Sequence, residues 1–459
     1  MYSNFFPPMD DFSSPELVSL KNALKQRGVK YVLASFVDIH GLLKGKVVPI
    51  NHFEQMMRGS ELFVGAAVDG LPQEVHDEEL AAVPDPNSST VLPWNKEIAW
   101  FASDLLFRGE PFEGCSRGVL KRVLGQASSM GFRLNLGIEA EFYMLRQDLE
   151  GNWEPVSDRD TLPRPYYDLS TLLDNYAWLN ELVEAINDLN WDVYSFDHED
   201  GNGQFEIDFN YTDGLKMSDR FTFFRLMARE YAQKHGYLAS FMPKPFADRA
   251  GSGAHFNVSL ASPSGENLFF SNDDPRGLGL SQQGYQFVAG ILKHAPALAA
   301  VMAPTVNSYK RLVAKGTPSR STWAPIHASY GNNRTSLVRI PLGGSRIECR
   351  LADSACNPYL SAAMLLAAGL EGIREGLDPG EPHTENMYAY APMELQQKGV
   401  RSLPRTLGEA IEAFVTDPLS YEVMGPALYD AYITTKSQEW EAYCNRVSEW
   451  ELERYLKRF

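Results

Sequence analysis

Two glutamates alternate along a short apolar stretch, and their spacing is the clearest indication of chemistry in this sequence. Glu139 and Glu141 lie within residues 134–145, whose other side chains predict a buried β-strand. Residues two apart on a strand point to the same face, so the two carboxylates would stand side by side. Burying two unpaired anions is costly, whereas a divalent cation between them would compensate. A half-exposed strand with a solvated acidic face is the alternative that this stretch alone leaves open.

Four further groups of residues could complete such a site. A glycine-containing turn separates Glu199 from Glu206, which predicts that the two carboxylates lie on adjacent antiparallel strands. A glycine loop that begins at Gly251 would let the backbone approach a ligand just before His255. On a strand, Glu348 would share one face with the arginines two residues before and after it. The remaining group is basic and comprises Lys310, Arg311, Arg334 and Arg339.

Each group also has an ordinary structural explanation. His255 could be a core histidine, and the strand around Glu348 could be a surface ion-pair ladder. Glu199 and Glu206 could form a solvated hairpin. The combination is harder to explain in this way, because hard divalent cations bind carboxylate oxygens and arginines bind phosphate or carboxylate groups. Together the groups indicate a multi-metal site for phosphoryl transfer.

The elements that must position these side chains predict two domains, at residues 15–112 and 116–459. The first would contain a helix that starts at Pro15, a hairpin over residues 29–38 and 44–49, and several short strands. Residues 108–114 are expected to be a linker. The second would contain helices at 172–189, 280–302 and 358–376 and a helical region at 437–459, with a conspicuous His294. Residues 337–340 and 346–351 are expected to pair as strands, so the predicted class is α+β.

The composition excludes several classes of partner. Of 459 residues, 44% are hydrophobic and 22% are charged, as in ordinary globular enzymes, and the formal net charge is −17. Nucleic acids and anionic membranes need a basic surface, so neither is expected as a partner. Four cysteines form no Cys-x-x-Cys pair, and the first residues have no signal-peptide pattern. These features predict a cytoplasmic protein.

A set of motifs in a fixed order covers nearly the whole chain. They are Gly-x-Glu-x-Glu-Phe, Glu-x6-Glu, Lys-Pro before Gly-Ser-Gly-x-His, Asn-Arg, and Arg-Ile-Glu-x-Arg-x-x-Asp before Asn-Pro-Tyr. In this order they resemble the glutamine synthetase family, and within it most of all the type III-like glutamate–amine ligases. The resemblance implies a small N-terminal β-grasp domain and a catalytic domain with a curved antiparallel sheet and flanking helices. It also implies a homo-oligomer, a dodecamer of two stacked hexameric rings with active sites between subunits.

The same resemblance implies roles for individual residues. One Mg²⁺ or Mn²⁺ ion would be held by Glu141, Glu199 and Glu206. A second ion would be held by Glu139, His255 and Glu348. Glutamate would be bound by Gly251, Arg311 and Arg350. ATP phosphates would be contacted by Arg334, Arg339 and Arg346. The catalytic residues would be Asp69, Glu199 and Arg334.

The amine side of the site is where the chain departs from the family pattern. An alkylammonium has a pKa of about 10, so a base must remove its proton, and Asp69 or Glu199 would do so. Asp69 would reach the site from a neighbouring subunit and would line an amine pocket with Tyr166 and Trp323. Trp323 stands where family members carry an acid. Polar family positions are also replaced by apolar residues, namely Leu71, Pro72 and Ala250.

An apolar wall suits the carbon side of an organic amine, whereas ammonium needs oxygen atoms all round it. The predicted reaction therefore joins the γ-carboxylate of L-glutamate to a primary alkylamine such as methylamine, ethylamine or isopropylamine. ATP is consumed, γ-glutamyl phosphate is the intermediate, and the products are the γ-glutamyl amide, ADP and phosphate. The first alternative is a glutamine synthetase that uses ammonia in nitrogen assimilation. A catalytically silent structural relative is the remote alternative.

Overall fold

The computed structural model describes residues 15–313 and 324–459, and all structural statements below concern these residues. They form two large β-sheets and one separate pair of short strands, together with helices. Within the described ranges, no helix is long and apolar enough to cross a membrane.

The N-terminal part is built round a seven-stranded mixed sheet. Its strands are β1 (Tyr31–Val37), β2 (Leu43–Pro49), β3 (Glu61–Phe63), β4 (Leu80–Pro84), β5 (Thr90–Leu92), β6 (Asn95–Phe107) and β7 (Glu110–Pro111). Its helices are α1 (Pro15–Gln26) and α2 (Phe53–Met57). β1 and β2 form the predicted hairpin, and β1 also runs parallel to β6. The order β2-β1-β6-β4-β3 places the long β6 at the centre of the sheet.

The second sheet has ten strands and carries five of the six predicted metal ligands, namely Glu139, Glu141, Glu206, His255 and Glu348. Its strands are β8 (Arg133–Gln147), β9 (Trp153–Pro155), β10 (Val193–His198), β11 (Gln204–Phe209), β12 (Thr212–Asp213), β13 (Leu238–Ser240), β14 (Ala254–Ala261), β16 (Tyr330–Gly331), β17 (Val338–Arg339) and β18 (Ile347–Cys349). A separate pair is formed by β15 (His327–Ala328) and β19 (Arg401–Ser402). β8 is central because β11 and β14 pair with its two edges. Both pairings are antiparallel, as are most in this sheet.

The second part of the chain also contains helices, some of which pack on its sheet. They are α3 (Ser116–Ser129), α4 (Leu169–Asp174), α5 (Tyr176–Asp188), α6 (Gly214–Lys234), α7 (Gln282–Met302), α8 (Ser308–Arg311), α9 (Pro358–Glu375), α10 (Pro392–Gln397), α11 (Leu407–Thr416), α12 (Pro418–Met424), α13 (Pro426–Cys444) and α14 (Glu449–Tyr455). α9 starts where Asn357 caps the backbone and proline occupies the first turn. α7 and α9 approach closely, since a Cβ at Gly290 would lie 2.0 Å from the carbonyl oxygen of Ala368.

The structure confirms the α+β class, the N-terminal hairpin and the antiparallel pairing of β17 with β18. The linker predicted at residues 108–114 is wrong, because β7 folds back onto β6 through a turn at Arg108 and Gly109, whose φ angles are 52° and 84°. The helix predicted at residues 172–189 is two helices that meet at Asn175. The C-terminal helical region is also interrupted, between α13 and α14.

The boundary proposed between the two domains stays a prediction. The larger hydrophobic core contains residues of both parts, because Trp100 and Leu92 of the first sheet join the side chains of β8 and α6 in one cluster. A second, smaller cluster lies within the N-terminal part and contains Phe53, Phe101 and Leu71. The first sheet is therefore packed firmly against the helices that support the second.

Candidate active site

The cross-strand register of β8 brings the predicted acidic residues together. Glu141 lies opposite Glu206 of β11, and Glu139 lies opposite His255 of β14. Glu199 follows β10 directly, and its amide donates to the carbonyl of Gln204 at 2.9 Å. Antiparallel neighbours on one face lie close enough for their side chains to interact. The acids that alternate along β8 therefore form a cluster with side chains of β11 and β14.

Three of these acids form one group of possible metal ligands. Oxygens of Glu141, Glu199 and Glu206 all lie within 4.8 Å of one another, the only such group of three or more ligand side chains in the described ranges. The loop before β14 fixes Glu141, because the amide of Gly253 donates to its Oε2 at 2.7 Å. Gln204 donates to the same oxygen at 3.2 Å. A Cβ at Gly253 would lie 2.7 Å from the ring of His255, so a glycine is needed for this close approach.

The electrostatics of the group favour a bound cation. Burial, and then repulsion from Glu141 and Asp197, raises the pKa of Glu199 well above its ordinary value. Burial and the charge of Glu199 do the same to the pKa of Glu206. Glu141 behaves oppositely, since hydrogen bonds from His255 and Gly253 outweigh burial and lower its pKa. Carboxylates that repel one another in a buried site are the oxygen ligands that a hard divalent cation prefers.

His255 also fits a metal ligand. It is almost fully buried, and its Nε2 lies 3.1 Å from Oε1 of Glu141. Burial and the charge of Arg350 lower its pKa, which favours the neutral ring that a metal needs. Its Nδ1 is buried and, among the described residues, has no hydrogen-bond partner. Buried polar atoms are rarely left unpartnered, so the residues present fit a divalent ion at this place.

The second predicted ligand set is arranged differently. Glu139 accepts a hydrogen bond from Asn257 at 2.8 Å, and burial and the charge of Glu348 raise its pKa to about 7. Glu348 pairs with Arg339 at 2.7 Å and also with Arg350. Although burial opposes it, Arg350, His255 and Arg339 hold the pKa of Glu348 at about 2. Since arginines occupy the Glu348 carboxylate, a second ion at Glu139, His255 and Glu348 stays a prediction.

The two arginines predicted to bind glutamate lie under the glycine loop. Arg311 is buried and donates from Nη1 to the carbonyl oxygen of Leu351 and from Nη2 to that of Arg350, both at 3.0 Å. A Cβ at Gly251 would lie 2.8 Å from Cγ of Arg311, so the loop packs directly on this side chain. Arg350 is also buried and faces Glu348. Both cations therefore lie beside the acidic cluster.

An open cavity of about 480 Å³ adjoins the cluster on the side of Glu139. Arg346 lines it and donates from Nε to Oδ1 of Asn257 at 2.8 Å. Tyr194 and Tyr211 offer aromatic faces, and Asp208 adds an acid. A cavity of this size, with aromatic walls, an arginine and two acids, is large enough for a nucleotide.

The remaining predicted positions lie around this centre or away from it. Arg334 is exposed in the segment before β17, and Tyr166 is close enough to it and to Glu199 for their charges to affect one another. Burial and then the charge of Glu199 raise the pKa of Tyr166. Trp323 lies outside the described residues. Asp69 belongs to the N-terminal part and pairs with His40, not with the glutamate cluster of its own chain.

The amine-pocket interpretation stays a prediction. Leu71 is 7% exposed and packs in the N-terminal hydrophobic cluster. Ala250 is buried, and its carbonyl oxygen accepts a hydrogen bond from Tyr143 at 2.7 Å.

Sequence reasoning assigned no role to several residues near the site. Asp197 and Asp208 lie two residues from Glu199 and Glu206, so the same alternation that identified β8 could have found them. Burial and the charge of Glu141 raise the pKa of Asp197 to about 6, and burial and the charge of Glu139 raise that of Asp208 to about 7. Gln204 was also missed, because an amide that orients a carboxylate has no sequence pattern of its own.

A buried pair behind Glu199 was missed as well. His198 is fully buried, and its Nδ1 lies 2.7 Å from the carbonyl oxygen of Glu199. Its Nε2 lies 2.7 Å from Oδ2 of Asp160. Asp160 also accepts hydrogen bonds from Asn202 and from the amide of Gly203. The Asp160 carboxylate therefore holds the turn between β10 and β11, which contains Glu199.

Comparison with protein families identifies relatives of the whole chain. The family profile described as "Glutamine synthetase, catalytic domain" matches residues 113–455. A glutamate–methylamine ligase of Methyloversatilis universalis is 42% identical over 438 residues, which cover 95% of this chain and 98% of the relative. A glutamine synthetase of Rhizobium leguminosarum bv. phaseoli is 40% identical over 93% of this chain and 96% of its own.

Solved structures are similar over the same length. A GmaS/ADP complex has a TM-score of 0.89 and 38% identity, and the match covers 95% of this chain and 99% of that one. An apo GmaS structure without ligand has a TM-score of 0.87 and 37% identity, with the same coverage.

Proposed function

Because this chain belongs to the glutamine synthetase family, we propose that it is an ATP-dependent ligase that joins the γ-carboxylate of L-glutamate to a primary amine. The preferred amine is an alkylamine such as methylamine, ethylamine or isopropylamine. The observation that carries the ligase chemistry is the buried cluster of Glu141, Glu199 and Glu206 beside a nucleotide-sized cavity. The similarity to a glutamate–methylamine ligase over nearly the whole chain supports the choice of amine.

The acidic cluster would hold divalent ions, Mg²⁺ or Mn²⁺, with two or more per site. Glu141, Glu199 and Glu206 would hold one, and Glu139, His255 and Glu348 the other. Bound there, such ions supply positive charge that neutralises the phosphate oxygens during phosphoryl transfer.

The basic residues of the chain would bind the anionic substrates. Arg334, Arg339 and Arg346 would contact the phosphates of ATP, and the cavity beside Glu139 would hold the nucleoside. Arg311 and Arg350, with the Gly251 loop, would hold glutamate. Their placement next to the acids supports this, because the two substrates must meet with their reacting atoms in line. The similarity to a solved GmaS/ADP complex lends further support to a nucleotide as a ligand.

The reaction has two steps. An oxygen of the glutamate γ-carboxylate attacks the γ-phosphorus of ATP, the bond to the bridging oxygen breaks, and ADP leaves. A neutral amine then attacks the acyl carbon of γ-glutamyl phosphate, and the bond to the phosphate oxygen breaks. Inorganic phosphate leaves as hydrogen phosphate, which carries the proton that the nitrogen loses. Because an alkylammonium has a pKa of about 10, its proton must first be removed, and Asp69 or Glu199 would accept it. Tyr166 lies beside Glu199 and would line the same pocket, with Trp323 as a further wall.

The active protein would be a homo-oligomer, a dodecamer of two hexameric rings, and would act in the cytoplasm. Asp69 supports an assembly, since its side chain is 68% exposed and lies apart from the glutamates of its own chain. In such an assembly it would complete the site of a neighbour. No nucleic acid or membrane partner is proposed, in keeping with the net charge of −17.

The second candidate function is that of a glutamine synthetase, and the relatives that carry that name favour it. The two functions separate in a phosphate-release assay with glutamate, ATP and Mg²⁺ or Mn²⁺, in which ammonia, methylamine, ethylamine and isopropylamine are offered in turn. We expect an alkylamine to give the highest kcat/KM. A highest value for ammonia would make the protein a glutamine synthetase.

The same assay tests whether the protein is catalytically silent. Glu141→Ala should abolish phosphate release with every amine, since it removes the acid at the centre of the cluster. Glu150→Ala is the matched control, because Glu150 is an exposed glutamate in the loop after the same strand, and it should retain full activity. Wild-type protein without amine-dependent phosphate release would contradict the proposed function.

A further inference from the structure

The turn between β1 and β2 places a histidine directly on Asp69. Nε2 of His40 lies 2.8 Å from Oδ2 of Asp69, and Nδ1 lies 3.4 Å from Nζ of Lys436. A carboxylate only accepts hydrogen bonds, and an ammonium group only donates them. The neutral ring therefore carries its proton on Nε2 and offers the lone pair of Nδ1 to the lysine. His40 is thus held as a donor to Asp69.

The lysine that sets this orientation is itself fixed. Lys436 of α13 is 1% exposed, and its Nζ lies 3.2 Å from Oε2 of Glu439. Burial lowers the pKa of Lys436, but Glu439 favours its charged form. Glu439 is fixed in turn, because its Oε1 accepts a hydrogen bond from the amide of Val306 at 3.0 Å. Asp69, His40, Lys436 and Glu439 consequently form one chain that runs from the surface into the second part of the molecule.

The backbone that carries His40 is also anchored. Oδ1 of Asp38 accepts hydrogen bonds from the amides of His40 and Leu42, at 3.0 and 2.9 Å. Arg225 of α6 donates to the carbonyl oxygen of Gly41 at 2.6 Å. Asn357 donates to the carbonyl oxygens of Asp38 and Ile39, next to its role as the cap of α9.

The turn that carries Asp69 is locked onto the same structure. Gly70, with φ of 70°, follows Asp69, and a Cβ there would lie only 2.2 Å from Cγ2 of Ile39. The residue after Asp69 and the residue before His40 are therefore in close contact. Two turns joined in this way hold the carboxylate and the imidazole at a set distance.

We propose that His40 is a positioning residue for the amine step, which holds Oδ2 of Asp69 so that Oδ1 faces the incoming alkylammonium. The inference rests on the proposed function and takes Asp69, one of the two acids named there, as the acceptor of the amine's proton. In this proposal His40 contacts neither substrate nor phosphate and acts through Asp69, the acid that its ring touches. Its removal should slow attack by the amine and leave the formation of γ-glutamyl phosphate unchanged.

Two readouts separate these steps. The first is kcat/KM for methylamine. The second is positional isotope exchange in ATP labelled with ¹⁸O at the bridge between the β- and γ-phosphorus, measured with glutamate and without amine. For His40→Ala we expect kcat/KM for methylamine to fall about tenfold, while the exchange rate stays within about twofold of wild type. His40→Gln keeps an N–H donor near the position of Nε2 and should recover most of the loss.

His52→Ala is the matched control, because His52 is an exposed histidine of the same N-terminal part. It should change neither readout. The combination of His40→Ala with Asp69→Asn should cost no more than Asp69→Asn alone, since residues that act as one unit are not additive.

Three results would overturn the inference. Equal losses in exchange and in the methylamine step would assign His40 a general structural role. An unchanged kcat/KM for methylamine in His40→Ala would show that His40 does not act in the amine step. Normal activity of Asp69→Asn would show that Asp69 does not accept the proton. Failure of the proposed function is distinguishable, because wild-type protein would then show no amine-dependent turnover at all.

Discussion

At the scale of single residues, the site depends on acids that are destabilised by one another. Glu199 and Glu206 are pushed toward the neutral form by burial and by neighbouring carboxylates, so each holds its charge at a free-energy cost. A divalent cation reverses the sign of that interaction. The ordinary explanation of Glu139 and Glu141 as a solvated acidic face is inconsistent with this geometry, because Glu141 is buried and opposite a further glutamate.

The pair of His198 and Asp160 leads to a prediction about ion binding. Asp160→Ala should weaken Mn²⁺ binding by about 10- to 100-fold, because the turn that presents Glu199 loses its common acceptor. Mn²⁺ titration followed by electron paramagnetic resonance measures this without reference to activity. Asp158→Ala, which alters a 77% exposed acid of the same loop, is the control and should bind normally. Equal affinities for the two variants would show that Asp160 does not position Glu199.

At the scale of secondary structure, the sequence predicted individual strands from local patterns but did not predict the register between strands. The apolar run with alternating acids predicted β8 from its own residues. The register that sets Glu206 opposite Glu141 arises from contacts distant in sequence, so only the structure could reveal it. Local side-chain hydrogen bonds are also the reason why one predicted helix is divided. Asn175 donates to the carbonyl oxygen of Thr171 and accepts from Trp178, and these bonds divide one expected helix into α4 and α5.

The conspicuous His294 has a structural position between helices. Its Nδ1 lies 2.8 Å from Oδ2 of Asp417, which starts α12, and its Nε2 lies 3.0 Å from Oε1 of Glu371 on α9. Lys293 of the same helix pairs with Glu371 and Glu375, and Arg374 lies 3.9 Å from the other oxygen of Glu371. Although burial opposes it, Asp417 and Glu371 raise the pKa of His294. The charged ring therefore joins α7, α9 and α12.

This arrangement predicts a pH-dependent contribution to stability. A raised folded-state pKa means that the contribution is complete below the unfolded value of about 6.5 and is lost as pH rises through the folded value. His294→Gln should therefore lower the free energy of unfolding by about 1–2 kcal/mol more at about pH 6 than at about pH 9. Urea unfolding at the two pH values measures the difference. His235→Gln, at the half-buried C-cap position of α6, is the control. The same loss at both pH values would contradict a charged His294.

At the scale of the whole molecule, one arginine joins the first sheet to the helices of the second part. Arg117 of α3 is 3% exposed and binds Asp85 at 2.7 Å and Asp104 at 2.9 Å, both in the first part. It also binds Asp219 of α6 at 3.0 Å, and Tyr359 of α9 donates to the same carboxylate. These aspartates raise the pKa of Arg117 although burial opposes it. The N-terminal part is held in place by this network as well as by the shared hydrophobic core, so the turns that carry His40 and Asp69 are presented on a rigid support.

Removal of this arginine should destabilise the protein strongly. Arg117→Met should lower the free energy of unfolding by about 3–5 kcal/mol, because it leaves Asp219 buried beside two further carboxylates without a counter-charge. Lys121→Met is the matched control, since Lys121 binds Asp104 from an exposed position and should cost less than about 1 kcal/mol. Guanidinium unfolding compares the two variants. A similar loss of unfolding free energy in both variants would mean that the ion pairs of Arg117 contribute no more than an exposed pair does.

The central claim is that the site uses an organic amine, and direct competition between two amines tests it. Purified protein is given glutamate, ATP and Mg²⁺ with equal concentrations of methylamine and ammonia, and the products are counted by mass spectrometry. Their ratio equals the ratio of the two kcat/KM values. An apolar contact to a single methyl group can favour one amine by about tenfold or more, so γ-glutamylmethylamide should exceed glutamine by at least that factor. An excess of glutamine would contradict the account.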